Sequence, residues 1–262
     1  MKITIIGAGN MGGATAKGLV KNPAIMTGDI TVTTAHLESL WPYAELGMCT
    51  TTDNRKAVEN ADMIIWAVKP WIAPVVIDEV RDLLKLDHQL MVTMMPGIGS
   101  EDFALMLKGS STVEPKTIYV IPNTAIEVGE SMTFVAPVSA SAEECEMVCA
   151  LFRPLGPTMK IEYRQLSGCC ALASCGIAFA LRYIRAASEG GVQLGVKARE
   201  AQAIVAQTVK GAAALLQHNG THAEYEIDRV TTPGGITIKG LNAMEANGFT
   251  HAVIEGLLKA KA

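Results

Sequence analysis

Two stretches of this chain hold residue types at spacings that can do chemistry. The first, Gly7-Ala8-Gly9-Asn10-Met11-Gly12, follows directly on a β-branched apolar run, Ile3-Thr4-Ile5-Ile6. Its glycines answer three physical demands: a tight turn at Gly7, close approach of backbone to a pyrophosphate at Gly9, and close packing of helix on strand at Gly12. Residues 14–20 read as the helix that follows. Its first N–H groups, around Asn10 and Met11, and its positive dipole end suit phosphate oxygens. The pattern predicts a nicotinamide dinucleotide site. The second stretch is Thr231-Thr232-Pro233-Gly234-Gly235-Ile236-Thr237, a hydroxyl- and glycine-rich turn running into an amphipathic helix marked by Ile238, Leu241 and Met244. Hydroxyls, free backbone N–H groups and a helix dipole meet there and suit a small carboxylate, so Thr232, Gly234, Gly235, Ile236 and Thr237 are the candidate substrate residues.

Cofactor choice is read at the end of the second strand, where NAD-specific sites usually place Asp or Glu on the ribose 2′-hydroxyl. Here the run is Thr31-Val32-Thr33-Thr34-Ala35-His36, with no carboxylate until Glu38. Thr33 and Thr34 can donate to a 2′-phosphate and His36 can add partial charge, although His36 equally suits an exposed helix start. NADPH is expected, with NADH possible because no arginine stands in the run. Three Pro-marked turns close successive strands: Val68-Lys69-Pro70, Met95-Pro96-Gly97-Ile98-Gly99 and Ile121-Pro122-Asn123-Thr124. Ligands of open α/β sheets bind at such carboxyl ends, so Val68, Lys69, Pro70 and Asn123 read as a rim near the nicotinamide. No metal site is expected. His218 and His222 have i, i+4 spacing, but Asn219-Gly220 should end the helix between them, and Cys49, Cys145, Cys149, Cys169, Cys170 and Cys175 lack metal-ligand spacing.

Elements that alternate must position these groups. Short apolar runs at Ile30–Thr33, 63–68, Leu90–Thr93 and 118–121 read as buried parallel strands, with helices at 36–46, 53–60, 72–84 and Ser100–Lys108 between them. Asp53 and Ser100 are the expected N-caps, and 132–136 and 157–161 can add strands. The fold class is α/β: an N-terminal Rossmann-type, doubly wound parallel sheet over 1–161 and a C-terminal all-helical dimerisation domain over 162–262. From residue 162 no strand pattern appears. Residues 198–217 carry an i, i+3, i+4 apolar face, and 166–187 is apolar on nearly every side, which fits a subunit interface better than a core helix. At 262 residues, 49% apolar and 18% charged, the chain is globular, and its net charge of −4 argues against nucleic acid and anionic membrane surfaces. The longest apolar run, 169–181, is broken by Ser174 and Gly176. Met1 leads straight into the first strand, so a cytoplasmic protein with reduced cysteines is expected.

Taken in order, Gly7-Ala8-Gly9-Asn10-Met11-Gly12, Val68-Lys69-Pro70, Pro122-Asn123-Thr124, Gln207-Thr208-Val209-Lys210-Gly211-Ala212 and Val230-Thr231-Thr232-Pro233-Gly234-Gly235-Ile236-Thr237 resemble the motifs of pyrroline-5-carboxylate reductases across nearly the whole chain. Pro-Gly-Gly-x-Thr is the most family-specific. The resemblance implies NADPH-dependent reduction of the cyclic imine 1-pyrroline-5-carboxylate to L-proline, the last step of proline synthesis, in a homodimer or larger homo-oligomer whose subunits share the substrate site. It implies Thr237 as the catalytic residue near the imine nitrogen, Thr232 and the Gly235–Ile236 backbone on the carboxylate, and Asn54 beside the adenosine ribose. The chain departs from the family at Ala171-Leu172-Ala173-Ser174-Cys175-Gly176-Ile177-Ala178, where Ala-Leu-Ser-Gly-Ser-Gly-Pro-Ala is usual, and at Ile121 and Ala125, where Met and Pro are usual. These changes bear on substrate breadth and dimer packing more than on reaction type.

Other readings stay open. A hydroxyacid reductase of similar layout needs a general acid/base, typically a lysine four residues beyond Gly176, and Ala180 stands there. A protonated imine accepts hydride with less help, so orientation and carboxylate binding can suffice. Another NAD(P)H-dependent imine reductase shares that logic. A non-catalytic NADPH sensor would have no use for the hydroxyl-rich turn.

Overall fold

The structure is a computed structural model that describes residues 1–261. Its first unit, Met1–Ser174, is built on one eight-stranded sheet in the order β3-β2-β1-β4-β5-β6-β7-β8. The strands are β1 (Ile3–Ile6), β2 (Ile30–Thr33), β3 (Cys49–Thr51), β4 (Met63–Trp66), β5 (Leu90–Thr93), β6 (Lys116–Ile121), β7 (Thr133–Pro137) and β8 (Thr158–Lys160). The central strands β1, β4 and β5 are buried at every position, which is why they read as continuous apolar runs rather than alternating ones. The chain winds outward from β1 to β3, then returns to lay β4 on the other side of β1. Ile6 pairs with Thr33 on one side and Trp66 on the other, so the turns after β1, β2 and β4 emerge at one sheet edge. A crevice at such a switch point is where open α/β sheets bind ligands.

Two features correct the expected strand pattern. β7 runs antiparallel to β6, with Ile121 opposite Phe134. The link is a 3-10 turn, Thr124–Val128, closed by Gly129 at φ 79°, too short for the helical crossover that a parallel neighbour needs. β3 was not expected, because Cys-Thr-Thr at a partly exposed edge has no apolar signature.

The helices of this unit are α1 (Asn10–Leu19), α2 (Trp41–Glu45), α3 (Asn54–Val58), α4 (Ala73–Val80), α5 (Ser100–Lys108), α6 (Ala142–Phe152) and α7 (Leu166–Cys170). The single helix expected over 36–46 is instead a 3-10 turn, Leu37–Leu40, followed by α2, whose first turn holds Pro42. Asp53 caps α3 as expected, accepting the Lys56 N–H at 3.2 Å. Ser100 does not cap α5. Gly99 holds that position, and the Ser100 N–H donates to the Tyr163 hydroxyl at 2.9 Å. One sheet face packs Ile3, Ile5, Val32 and Ile65 against Leu19 of α1 and Phe152 of α6. The other packs Ile64, Trp66 and Met91 against Ile77 of α4 and Phe103 of α5. Edge-to-face rings continue from Trp66 through Phe103 and Tyr119 to Tyr163, and burial pushes the Tyr119 phenol far above its ordinary value.

The first unit runs to Ser174, with Leu166 packed on Tyr119 and Ile121 and the Ala173 carbonyl accepting the Asn123 amide at 3.4 Å. The second unit, Cys175–Lys261, contains α8 (Gly176–Gln193), α9 (Ala198–Asn219), α10 (Ala223–Arg229), α11 (Ile236–Ala246) and α12 (Phe249–Lys259), with no strand among the described residues. A π-helical turn, Ala171–Cys175, stands between α7 and α8, at the segment that departs from the usual family sequence. α8 and α9 pack together so closely that a Cβ on Gly191 would lie 3.0 Å from that of Ala201. Gly220, left-handed at φ 62°, ends α9 between His218 and His222. Within Cys175–Lys261 only Ala201 is buried. The helical stretch Tyr163–Gln193 is also long and apolar enough to cross a membrane by length and composition, with mean hydropathy 1.4, a signal that the broken run at 169–181 conceals.

Candidate dinucleotide site

The glycine-rich turn does mechanically what its sequence predicts. Gly7 has φ 101°, a backbone state that side chains resist, and its N–H and that of Ala8 donate to the Thr33 carbonyl at 3.1 and 3.0 Å. A Cβ on Gly12 would lie 2.1 Å from the Gly7 carbonyl oxygen and 2.8 Å from the Ala67 Cβ, so only glycine lets α1 sit this close to β1 and β4. Gly9, the N-cap of α1, is the opposite case: a Cβ there would meet no protein atom within 4 Å. No side chain caps α1, so its first N–H groups face the crevice without a protein acceptor.

A cavity of about 540 Å³ opens at this edge. Gly7 and Gly9 line it from the β1 turn, Thr33, Thr34 and His36 from the end of β2, Asn54 from α3, and Val68 and Lys69 from the turn after β4. Eight residues expected at a cofactor site thus share one cavity of the size small-molecule sites have. A hydrogen-bond chain orders its far end. The Thr33 hydroxyl donates to Asn54 Oδ1 at 2.7 Å, and Asn54 Nδ2 donates to Glu79 Oε2 at 3.0 Å. Sequence reasoning missed Glu79, which also lines the cavity, because α4 is remote in sequence from the β2 end and only the fold brings them together. Arg55 also stands nearby, but its guanidinium makes two 2.7 Å bonds to Asp82, whose carboxyl it holds below the ordinary range.

The remaining expected cofactor residues lie elsewhere. Asn10 lines a neighbouring groove of about 440 Å³ with Lys17, Lys21 and Tyr43, which meets the first cavity at Ala8 and Gly9. Burial there pushes the Tyr43 phenol up. Met11 packs partly buried against the core and Gly12 is buried beneath the turn, so both support the site rather than line it. Pro70 does not line the cavity; its ring would stand 3.7 Å from a Cβ on Gly97. Asn123 is buried, with its Oδ1 accepting the Ala125 N–H and its Nδ2 bound to the Ala173 carbonyl, so its side chain serves the turn. Among the described residues no three His, Cys, Asp or Glu side chains are placed to hold a metal ion.

The hydroxyl-rich turn lies in the second unit. Gly234 has φ 71°, and the Gly235 N–H donates to the Thr232 carbonyl at 3.0 Å. Gly235 is the N-cap of α11 and offers no side-chain cap, so Ile236 and Thr237 present the uncapped first turn of a helix. Thr232, Gly234, Ile236 and Thr237 are all exposed. The five candidate substrate residues therefore lie on one turn and the start of α11, exposed except for the half-buried Gly235.

Comparison with known proteins follows the same division. Residues 2–97 match the family model described as NADP oxidoreductase coenzyme F420-dependent, and residues 164–262 match the model described as pyrroline-5-carboxylate reductase dimerisation. The chain is 36% identical to pyrroline-5-carboxylate reductase 1 of Dictyostelium discoideum, covering 98% of this chain but only 48% of that longer protein. It is 35% identical to pyrroline-5-carboxylate reductase 2 of the same organism, covering 98% of this chain and 89% of the relative. Among solved structures, a pyrroline-5-carboxylate reductase from Coxiella burnetii superposes with a TM-score of 0.90 at 27% identity, over 99% of this chain and 95% of the other.

The two glycines should separate when changed. Gly9→Ala should melt like the wild type yet bind NADPH about ten- to a hundredfold more weakly by fluorescence titration, a cost of about 1.4–2.8 kcal/mol. Gly12→Ala should lose about 1–3 kcal/mol of stability, because its Cβ has no room. A Gly9→Ala protein with unchanged affinity would remove the turn from the phosphate site.

Proposed function

Because the chain belongs to the pyrroline-5-carboxylate reductase family, we propose that it reduces 1-pyrroline-5-carboxylate to L-proline with NADPH as electron donor and NADH as a poorer alternative. The observation that carries this reading is the match to a pyrroline-5-carboxylate reductase over 98% of the chain, through both the cofactor half and the helical half. The cavity fits a dinucleotide on its own terms: Gly9 leaves open space where a side chain would stand, beside an uncapped helix start.

Residues 1–161 are assigned to the cofactor and 162–262 to dimerisation and substrate. Gly7, Gly9, Asn10, Met11 and Gly12 form or support the pyrophosphate turn. Thr33, Thr34, His36 and Asn54 take the adenosine ribose and its 2′-phosphate, and Val68, Lys69, Pro70 and Asn123 shape the nicotinamide rim. NADPH, when bound, supplies the hydride that the imine carbon accepts, and a proton from the medium stays on the ring nitrogen. Thr232, Gly234, Gly235 and Ile236 hold the substrate carboxylate, which takes the place of a side-chain cap on α11. Thr237, in the first turn of α11, hydrogen-bonds near the ring nitrogen and so fixes the face of the imine presented to the hydride. No strong base is needed, consistent with Ala180 where a hydroxyacid reductase would place lysine.

The same reading makes the protein a homodimer. Leu181, Ile204, Leu215, Ile254 and Leu258 are exposed on helices whose only buried residue is Ala201, and the dimerisation model matches 164–262. A second copy, rather than a bilayer, covers the apolar stretch Tyr163–Gln193, since Arg182, Arg185 and Glu189 stand on its later turns. A cytoplasmic location suits a chain whose six cysteines are read as reduced thiols.

Oxidation of NADPH on addition of 1-pyrroline-5-carboxylate, with L-proline as product, is the direct test, and a protein that binds NADPH without oxidising it on this substrate would leave the sensor or another reductase. Thr237→Ala should lower kcat/KM about ten- to a hundredfold, the scale of a hydrogen bond to a charged group, while NADPH affinity holds. Unaltered turnover in that variant would take Thr237 out of the site. Light scattering at micromolar concentration should find a dimer or a larger oligomer, and a well-ordered monomer would contradict the interface.

A further inference from the structure

The β2 end lacks the carboxylate that usually holds an unphosphorylated ribose, yet the folded cavity contains one. Glu79, on the last turn of α4, lines the same space as Thr33, Thr34, His36 and Asn54. Its Oε2 accepts from Asn54 Nδ2 at 3.0 Å, and Asn54 in turn accepts from the Thr33 hydroxyl. Arg55, beside this network, feels the Glu79 charge, but its guanidinium is hydrogen-bonded elsewhere. Arg55 donates to the Glu79 backbone carbonyl at 2.6 Å and commits its guanidinium to Asp82 in two bonds of 2.7 Å. Across the cavity stand the cation Lys69, and His36, which lies 4.0 Å from Glu38.

We propose that Glu79 sets the balance between NADPH and NADH. Its carboxylate reaches the adenosine-ribose end of the cavity from α4, accepts hydrogen bonds from free ribose hydroxyls and repels a 2′-phosphate. It does from a neighbouring helix what a carboxylate after β2 does in NAD-specific sites, against the phosphate-favouring hydroxyl of Thr34. The chain therefore discriminates less between the two cofactors than its β2 end alone would dictate. This inference rests on the cofactor reading given above.

Glu79→Gln keeps an acceptor for Asn54 and removes only the charge, so it separates electrostatics from structure. The ratio of kcat/KM for NADPH to that for NADH should rise about fivefold, the scale of one solvent-screened charge contact. By calorimetry, 2′,5′-ADP should bind the variant about fivefold more tightly while ADP binds equally or more weakly. Added salt should narrow the gap between variant and wild type for 2′,5′-ADP, which a purely structural role would not produce. Glu79→Ala, which also frees Asn54, should weaken ADP binding. A Glu79→Gln ratio equal to that of the wild type, or equal weakening of both nucleotides, overturns the proposal. Wild-type protein inactive toward 1-pyrroline-5-carboxylate would overturn the proposed activity instead, while the two ADP titrations would still report on Glu79.

Discussion

The nucleotide half of this protein depends on one close contact, the seat of α1 on the turn that follows β1. A Cβ on Gly12 would stand 2.1 Å from the Gly7 carbonyl oxygen, so the helix can begin at Asn10 only because both positions lack side chains. From that contact the rest of the cavity follows. Gly7 and Ala8 both donate to the Thr33 carbonyl, which binds the β1 turn to the end of β2. Thr33 then holds Asn54, and Asn54 holds Glu79, so four elements far apart in sequence are tied in series around one space. Each link is an ordinary hydrogen bond, and together they preorganise the wall before any ligand arrives.

The helical half is governed by burial. The sheet unit covers its strands on both faces with its own helices, and its largest side chains, Trp66, Tyr119, Phe103 and Phe152, are fully buried. The unit Cys175–Lys261 buries only Ala201 within one chain. Helices of this kind gain most of their stability from packing an apolar face, and here the exposed faces lie within the residues that match the dimerisation model. The hydroxyl-rich turn belongs to this sparsely buried unit, whereas the cavity beside the glycine-rich turn is formed by the first unit alone.

Much of this was legible in the sequence, for identifiable reasons. Buried parallel strands announce themselves as short β-branched runs, so β2 and β5 fall where expected, and the glycine spacing located both the turn and the helix after it. The antiparallel β6–β7 pair was not legible, since strand direction is set by the length and geometry of the connection rather than by strand composition. β3 escaped because an edge strand of Cys-Thr-Thr carries no apolar pattern. Among candidate site residues, those on turns at the crevice converge, as Thr33, Thr34, Asn54 and Lys69 do. Asn123, by contrast, spends its side chain on the Ala125 N–H of its own turn and on the Ala173 carbonyl. Glu79 was invisible for a different reason. Nothing in Asp78-Glu79-Val80 distinguishes it from a solvated helix end until the fold sets it beside Asn54.

The central claim is that this chain presents the imine carbon of 1-pyrroline-5-carboxylate to the nicotinamide of NADPH. Tracing the transferred hydrogen tests it most directly. With NADPH deuterated at the transferable position of nicotinamide C4, mass spectrometry and NMR of the product should find one deuterium in L-proline, on the ring carbon that was doubly bonded to nitrogen. Proline without the label, or oxidation of the labelled NADPH with no proline formed, would contradict the account.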